Sequence, residues 1–493
     1  MAIKFDRIDY TGRDFDVIRA SCIAYLQQFV PEMTDHNESD LGIVLIDLFS
    51  YVHDGLHFYL DNRINEAFLP TALELESVIK LLKTIDYNIT NYVPASVEIT
   101  FNLVQPITND IVIPKGHRVG TSDLTNNYIF NLVEDLTIPA GSVDGVGIYN
   151  EGIYFNETLG TSDGITPNQE YDLTYTDWLE DSLKIYTEDN LGNKIYYRRL
   201  GKNDDIPSFV FADANDKVFD VKIEEFKTTI IFGDGIHGYI PDNGLDIKAE
   251  YYRGHGYKAN VSAKSLTVIL DPITDVLGNA VPIYCTNVFP ATGGKSRETI
   301  EEAKVNGPAS LRTMYRAVTA EDFKTIAKSF RDPVYGGISD AMAVPDFTYY
   351  SNAINLYVVA EDNNQYPVNA GTPLKDALKD YIDDRRVIGM EVNILDPTFL
   401  TVDITADIYI YDNFKQSDIL AKANELIDEM FKVYNMSFGG DNGKIALSDL
   451  YTILNSINGV NYVYITNPTA NIDVNSNEFP VKGTITLNIH GGA

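Results

Sequence analysis

Residues 232–244 read Phe232-Gly233-Asp234-Gly235-Ile236-His237-Gly238-Tyr239-Ile240-Pro241-Asp242-Asn243-Gly244, and the residues after the third glycine decide the fold. The first half satisfies the GxGxxG pattern of dinucleotide-binding proteins, and an apolar run, Thr229–Phe232, precedes it. That pattern works only if a helix opens at the glycines with its N-terminus facing a phosphate. Here Pro241, Asp242, Asn243 and Gly244 forbid a helix. The stretch reads as a glycine-rich hairpin, which sets nucleotide binding aside.

Around this hairpin the apolar period is two. Val97, Ile99, Phe101 and Leu103 alternate with Glu98, Thr100 and Asn102, the pattern of a half-buried strand. Ile113-Pro114-Lys115-Gly116 is echoed by Ile138-Pro139-Ala140-Gly141, each after an apolar run, and Pro then Gly is turn chemistry. Strands and turns continue to about residue 270, so residues 91–290 are expected to form an antiparallel β domain. A Gly- and Asp-rich stretch near 141–178 reads as an inserted loop or appended hairpin.

Upstream, residues 1–90 read as helical. Asp40, Asp47, Asp54 and Asp61 sit seven residues apart along one predicted helix, Asp40–Arg63. Phe49 and Leu56 share one heptad position, and Leu45, Val52 and Tyr59 a second. Ile46 and Leu60 share a third, and Val44, Tyr51 and Phe58 a fourth. Only the thin polar seam is expected to reach water, so other helices must surround this one, from its own domain or from other chains. Asp at Leu45 or Val52 is then expected to bury a charge. Phe15, Ile18, Cys22, Tyr25 and Phe29 form the face of an earlier helix, started by Thr11-Gly12-Arg13-Asp14 and ended by Pro31. Thr71-Ala72-Leu73-Glu74 reads as a capping box before a third helix that buries Leu75, Val78, Ile79, Leu82 and Ile85. Three such helices make a bundle segment.

Downstream, helix returns at 293–330, and beyond it lies a second echo. Val318-Thr319-Ala320-Glu321-Asp322-Phe323-Lys324-Thr325-Ile326 matches Ile445-Ala446-Leu447-Ser448-Asp449-Leu450-Tyr451-Thr452-Ile453 in register at Asp, Thr and Ile. A strand-like run comes after each, Gly337–Val344 and Val460–Thr466. Helices at Pro373–Val387 and Ser417–Tyr434, and strands at Ile354–Ala360, Glu391–Leu395, Leu400–Tyr411 and Thr484–Ile489, complete the set. The expected fold is multidomain α+β: a helical segment over 1–90, a β domain over 91–290, and two related α+β units over 291–398 and 399–493, each with helices on one face of a small antiparallel sheet.

The chain has 493 residues, with 71 acidic and 38 basic side chains and a net charge of −33. Nucleic acid and anionic membrane are poor partners for such a surface. The most apolar run, Leu41–Phe49, is broken by Asp47 and too short to span a bilayer, so no membrane insertion is expected. Met1-Ala2-Ile3-Lys4-Phe5-Asp6 lacks the apolar core of a signal peptide. Two cysteines, Cys22 and Cys285, make no disulfide framework and suit a reducing cytoplasm; Cys22 is expected to be buried.

His53-Asp54-Gly55-Leu56-His57 places two histidines one helical turn apart, as a zinc site would. A metalloprotease has Glu where Asp54 stands, and no third ligand occurs at a familiar spacing. Asp213-Ala214-Asn215-Asp216 begins like a calcium loop, but Lys217 and Val218 occupy ligand and glycine positions. His36, His117, His237, His255 and His490 are scattered among turns, and no G-x-S-x-G elbow occurs. No catalytic residue, metal site or cofactor is expected, and the chain is not expected to be an enzyme.

Phe232-Gly233-Asp234-Gly235, then Gly238, Pro241 and Gly244, then Tyr251, Gly254, Gly256, Asn260 and Val261, resembles the signature of the baseplate J-like family, wedge proteins of contractile phage tails and related injection machines. The likeness continues through Gly293-Gly294, Glu298, Glu301-Glu302-Ala303-Lys304, Pro308, Leu311-Arg312-Thr313 and Arg316–Phe323. Asp14-Phe15, Asn37-Glu38-Ser39-Asp40 and Asn65-Glu66-Ala67-Phe68-Leu69 also look like phage wedge proteins. Ala259 stands where the family usually has Gly, and 141–178 matches nothing in it. The resemblance implies a structural subunit that associates with itself and with other wedge proteins. In that setting wedges ring the central hub and spike, hold the sheath extended, and rearrange when the tail engages its target. The implied location is the virion tail baseplate, assembled in the host cytoplasm. Phe15, Ile18, Leu45, Phe49, Val52, Leu56 and Tyr59 are the expected inter-subunit packing residues. Gly233, Asp234, Gly235, Gly238, Pro241, Gly254 and Gly256 are expected to be structural turn residues. The alternative is a receptor- or glycan-binding tail protein, suggested by 32 tyrosines and the loop-rich β region.

Overall fold

The computed structural model describes residues 8–32, 37, 40–85, 87–106, 108–122, 127–189, 192–201, 206–224, 226–275, 278–313, 316–346, 352–439 and 444–492. His36, Glu38, Ser39 and the Met1–Asp6 segment lie outside them. The chain divides into two compact units. One comprises Met1–Ile89 with Thr299–Leu311, and the other Thr90–Glu298 with Arg312–Ala493.

The first unit is helical: α1 (Phe15–Phe29), α2 (Leu41–Glu66), α3 (Leu75–Lys83) and most of α4 (Ile300–Thr313). Asp40 caps α2 by accepting from the Gly42 and Ile43 amides at 2.8 and 3.4 Å. Two expected helix starts are placed differently. Thr11 does not cap α1, because its amide and hydroxyl turn to Asp61. Thr71 does not open α3, because its hydroxyl donates back to the Asn65 carbonyl at 2.7 Å. Glu66, in the last turn of α2, instead accepts from the Leu73 and Glu74 amides at 2.9 and 3.1 Å. Its carboxylate does the work expected of the capping box. Val78 and Leu82 of α3 pack with Ala72, Ile89 and Ala303 of α4. The α3–α4 approach requires Gly307, where a Cβ would stand 2.4 Å from a Leu82 methyl.

The second unit begins with a six-stranded antiparallel sheet. Its order is Leu266–Ile269, Arg118–Thr121, Ile129–Leu132, Asp144–Glu151, Ser96–Leu103, Ile283–Asn287. Alternate residues Val97, Ile99, Phe101 and Leu103 point into its core, as their period predicts. The Ile-Pro-x-Gly echo has a structural meaning: its strands, Ile111–Ile113 and Leu136–Ile138, pair with each other. A seven-stranded sheet comes next, built wholly from residues 153–253. The inserted loop or appended hairpin expected near 141–178 is instead strand, shared between the two sheets. Asp144–Glu151 lies inside the first sheet and Ile153–Thr161 on the edge of the second. Gly145 and Gly147 mask the strand pattern. A Cβ there would stand 2.6 Å from the Ile138 side chain and 2.9 Å from that of Leu132.

Two α+β units complete the chain. In the first, α5 (Ala320–Ser329) and α6 (Thr372–Asp383) pack on a sheet whose central strand is Ala353–Glu361. In the second, α7 (Gln416–Met430) and α8 (Leu447–Asn455) cover a sheet centred on Thr398–Ile410. Both sheets are mixed rather than antiparallel. Each central strand has one antiparallel neighbour entered from the echoed helix, Asp340–Asp346 or Val460–Asn467. Each also has one parallel neighbour, Glu391–Leu395 or Glu478–Gly491. The wiring differs, since the echoed helix precedes the central strand in the first unit and comes after it in the second.

Asn260 ties the β region to the segment leading into the α+β units. Fully buried, it donates to the Gly294 carbonyl at 3.0 Å and accepts from the Gly294 amide at 2.8 Å. Gly293 in turn accepts from the Gly337 amide at 2.8 Å. Asn260→Ala strands a buried amide and carbonyl, and is expected to lower stability by about 1–3 kcal/mol in urea unfolding.

Candidate functional site

The expected contact helix, α2, is built inside out. Its aspartate seam faces its own chain. Asp47 accepts from Arg19 of α1 at 2.5 Å. Asp61 accepts from the Thr11 hydroxyl and amide at 2.8 and 3.2 Å. Asn65 exchanges hydrogen bonds with the Ile8 backbone at 2.8 and 3.1 Å. Asp54 and His57 line the same side, with Thr11, Asp14 and Asp61. The polar seam expected to reach water is therefore the side covered by α1 and the segment before it.

The apolar positions point outward. Leu45, Val52, Leu56, Tyr59 and Phe49 are 46%, 52%, 60%, 68% and 69% exposed. Leu41, Val44, Leu48, Tyr51, Phe58 and Leu60 are exposed as well. Phe15 and Ile18 are half-buried on α1. Ile18, with Val17, Cys22, Tyr25, Leu26 and Ile46, lines an open groove of 410 Å³ between α1 and α2. Cys22, expected to be buried, is only half-buried there. Monomeric proteins rarely leave so continuous an apolar surface uncovered. At 26 residues α2 is also long and apolar enough to cross a bilayer by length and composition. The short run Leu41–Phe49 understated it.

His53 and His57 meet edge to face, with ring centroids 4.9 Å apart. Among the described residues no group of three or more metal-ligating side chains forms. The remaining described histidines are held by neighbours. Buried His117 joins the Tyr149 hydroxyl and the Asp271 carbonyl, each at 3.0 Å, and burial pushes its pKa down. His237 and His490 lie beside Asp234 and Asp407.

The turn motif closes a tight loop. Asp234 accepts from the Ile236 and His237 amides at 2.8 and 2.6 Å, and these donors hold its carboxyl below the usual range. Gly235 donates to the Gly238 carbonyl at 3.0 Å. A Cβ on Gly233 would fall 2.2 Å from the Gly238 backbone, so only glycine fits there. Pro241 accepts from Ser162 at 2.6 Å, which anchors the loop. Gly254 and Gly256 lie where the chain leaves the seven-stranded sheet, and a Cβ on Gly254 would collide with Leu179. The Asn260–Gly294 clamp joins two segments of the sequence motif, a contact that nothing in residue spacing announces.

Residues 14–84 match the family of bacteriophage baseplate proteins, N-terminal domain, and residues 402–488 match the Baseplate J-like protein C-terminal domain. The helical segment and the last α+β unit are thus baseplate domains, and the chain is a structural subunit of a phage or tail-machine baseplate. No curated protein matches it. A solved assembly, "Cryo-EM structure of the anti-feeding prophage (AFP) baseplate, 6-fold symmetrised", aligns over 97% of this chain and 95% of that chain at 12% identity, with a TM-score of 0.33. So distant a likeness carries no argument.

Because Phe49 and Leu56 already face water, replacing both with Asp is expected to change the unfolding free energy of the isolated chain by no more than about 0.5 kcal/mol each. Self-association in analytical ultracentrifugation is expected to fall. A loss of several kcal/mol would instead place these side chains in an internal core.

Proposed function

We propose that the chain is a wedge subunit of a contractile-tail baseplate, held to its neighbours by α1 and α2. The observation that carries this reading is the outward apolar face of α2. The cover it lacks is supplied by helices of other baseplate subunits, a second copy of this chain among them. Neighbouring wedges then close a ring around the hub and spike, and rearrangement of the ring couples target engagement to sheath contraction. The protein acts by assembly and conformational change, without catalysis, cofactor or nucleic acid, and it is assembled in the host cytoplasm.

Protein rather than lipid is the cover because α2 carries Asp47, Asp54 and Asp61 at heptad spacing. A carboxylate near a bilayer centre costs about 2.5–3.5 kcal/mol on insertion scales. The receptor- or glycan-binding alternative would draw on the exposed Tyr154 and Tyr196 of the inserted sheet. Their hydroxyls already donate to Glu250 at 3.3 and 3.2 Å, and Glu250 also takes Lys194. That face keeps little free polar chemistry for a sugar.

The test is a Leu45→Asp, Val52→Asp double variant of the full chain, co-produced with its companion baseplate proteins. Because both side chains are half exposed, neither substitution buries a charge within the fold, contrary to the expectation from heptad spacing. The variant is expected to be folded by circular dichroism yet absent from baseplates seen by electron microscopy. Normal incorporation would refute α2 as the contact.

A further inference from the structure

The chain enters the seven-stranded sheet through Glu151–Ile153 and leaves it through Arg253–Gly256. Only these two connections join it covalently to the six-stranded sheet. The hydrophobic cluster of the six-stranded sheet draws no residue from 153–253. The corner between the sheets holds buried Trp178 and Leu179, the latter against Gly152 and Gly254, together with a set of polar bonds. Asn91 donates to the Trp178 carbonyl at 2.8 Å, its amide to Glu180 at 2.9 Å, and the Glu180 amide to the Tyr92 carbonyl at 2.7 Å.

The two connections are themselves bonded together. Glu151, at the end of the entering segment, is fully buried. One of its oxygens accepts from His255 of the leaving segment twice, from the backbone amide at 3.1 Å and from Nδ1 at 2.7 Å. Its other oxygen is buried without a hydrogen-bond partner. Beside the pair, Arg253 holds Asp177 through two nitrogens at 3.0 and 2.8 Å, with its guanidinium 3.5 Å from the Tyr175 ring. Tyr128 meets the His255 ring edge-on at 5.1 Å. Asp177 and Arg253 are thus the charged groups facing the pair, and Tyr128 and Tyr175 its aromatic neighbours.

We propose that this corner is a hinge for the inserted sheet, and that the Glu151–His255 pair is the latch that keeps it closed. Strands Ile153–Thr161 and Asp246–Arg253 are paired with each other up to Ile153 and Arg253, and the Glu151–His255 bond carries that pairing two residues further, into the connections. With that bond broken, the two connections part beyond the ladder. The corner is then held by the bonds of Asn91 and Glu180 and by Leu179 lying against Gly152 and Gly254. Residues 153–253, their Arg253–Asp177 pair internal to them, turn as a body. The inference concerns the folded chain itself and does not depend on its place in a baseplate.

The latch has a direction in pH. The Glu151 carboxylate raises the His255 pKa above its ordinary 6.5, and burial raises that of Glu151. Both groups bind protons more tightly folded than unfolded. Their contribution is therefore full below 6.5 for His255, and is lost as pH rises through its raised value. Above that point the ring is neutral and the charge assistance to its bond with Glu151 is gone. The hinge opens on the alkaline side.

Hydrogen exchange on the full-length protein, corrected for intrinsic rates, tests this across neutral to alkaline pH. Residues 151–153 and 253–256 are expected to lose protection by about tenfold as pH rises, while strand 96–103 keeps its own. In Glu151→Gln and His255→Gln the corner is expected to exchange fast at every pH. A purely stabilising pair would lower protection throughout the unit together. Equal protection of corner and core at every pH in the wild type would overturn the proposal, whether or not the variants fold. Survival of the pH dependence in His255→Gln would overturn it too.

Discussion

The carboxylates of α2 are held by their own chain, and this determines which face of the helix remains for others. Asp40 caps the helix, Asp47 takes Arg19 and Asp61 takes Thr11, so three of the four heptad aspartates are bonded within the chain. Buried Asn65 fixes the far end to Ile8. An amphipathic helix ordinarily turns its polar stripe to water and its apolar stripe to the core. Here the polar bonds win the inner side, and Phe49, Leu56 and Tyr59 are left outside. Burying one such side chain is worth about 1.5–3 kcal/mol. Several on one helix match the whole net stability of a domain, about 5–15 kcal/mol. Covering that face would be a large driving force for association.

Local chemistry made much of the fold legible. Val97 to Leu103 announced a strand by period, and Pro241 and Gly244 turned a nucleotide-like motif into a hairpin. What stayed hidden depended on partners far along the chain. Gly145 and Gly147 have no side chains because Ile138 and Leu132 fill their space, so a central strand looked like loop. Thr71 and Glu74 formed a plausible capping box, but Glu66 from the preceding helix takes the Glu74 amide, with that of Leu73. Parallel pairing in the last two units, such as Thr398–Ile410 with Glu478–Gly491, joins strands separated by two helices and leaves no local trace.

The exposed apolar face of α2 was half legible for a related reason. Heptad spacing separates the stripes of α2 but does not say which stripe the chain covers. That choice rests on Arg19, Thr11 and Ile8, which reach α2 from 28, 50 and 57 positions away. The glycines of the turn motif were readable as glycines, and their reasons were not. Gly233 makes room for Gly238, whereas Gly254 makes room for Leu179. Asn260 and Gly294 stood in the same ordered motif, and only the fold shows that they bond each other.

Acidity and the uncovered helix act at different ranges. A net charge of −33 repels other acidic surfaces over the screening distance, about 8 Å at physiological salt. Apolar contact acts only once water is squeezed out between touching side chains. Two chains meeting at random therefore feel repulsion before attraction, which keeps an exposed apolar helix from driving indiscriminate aggregation. Attraction wins where several apolar helices are presented together, so that Leu45, Val52 and Tyr59 on one stripe and Phe49 and Leu56 on another are covered in one event. A helix apolar on several stripes suits enclosure within a bundle better than pairing along one seam.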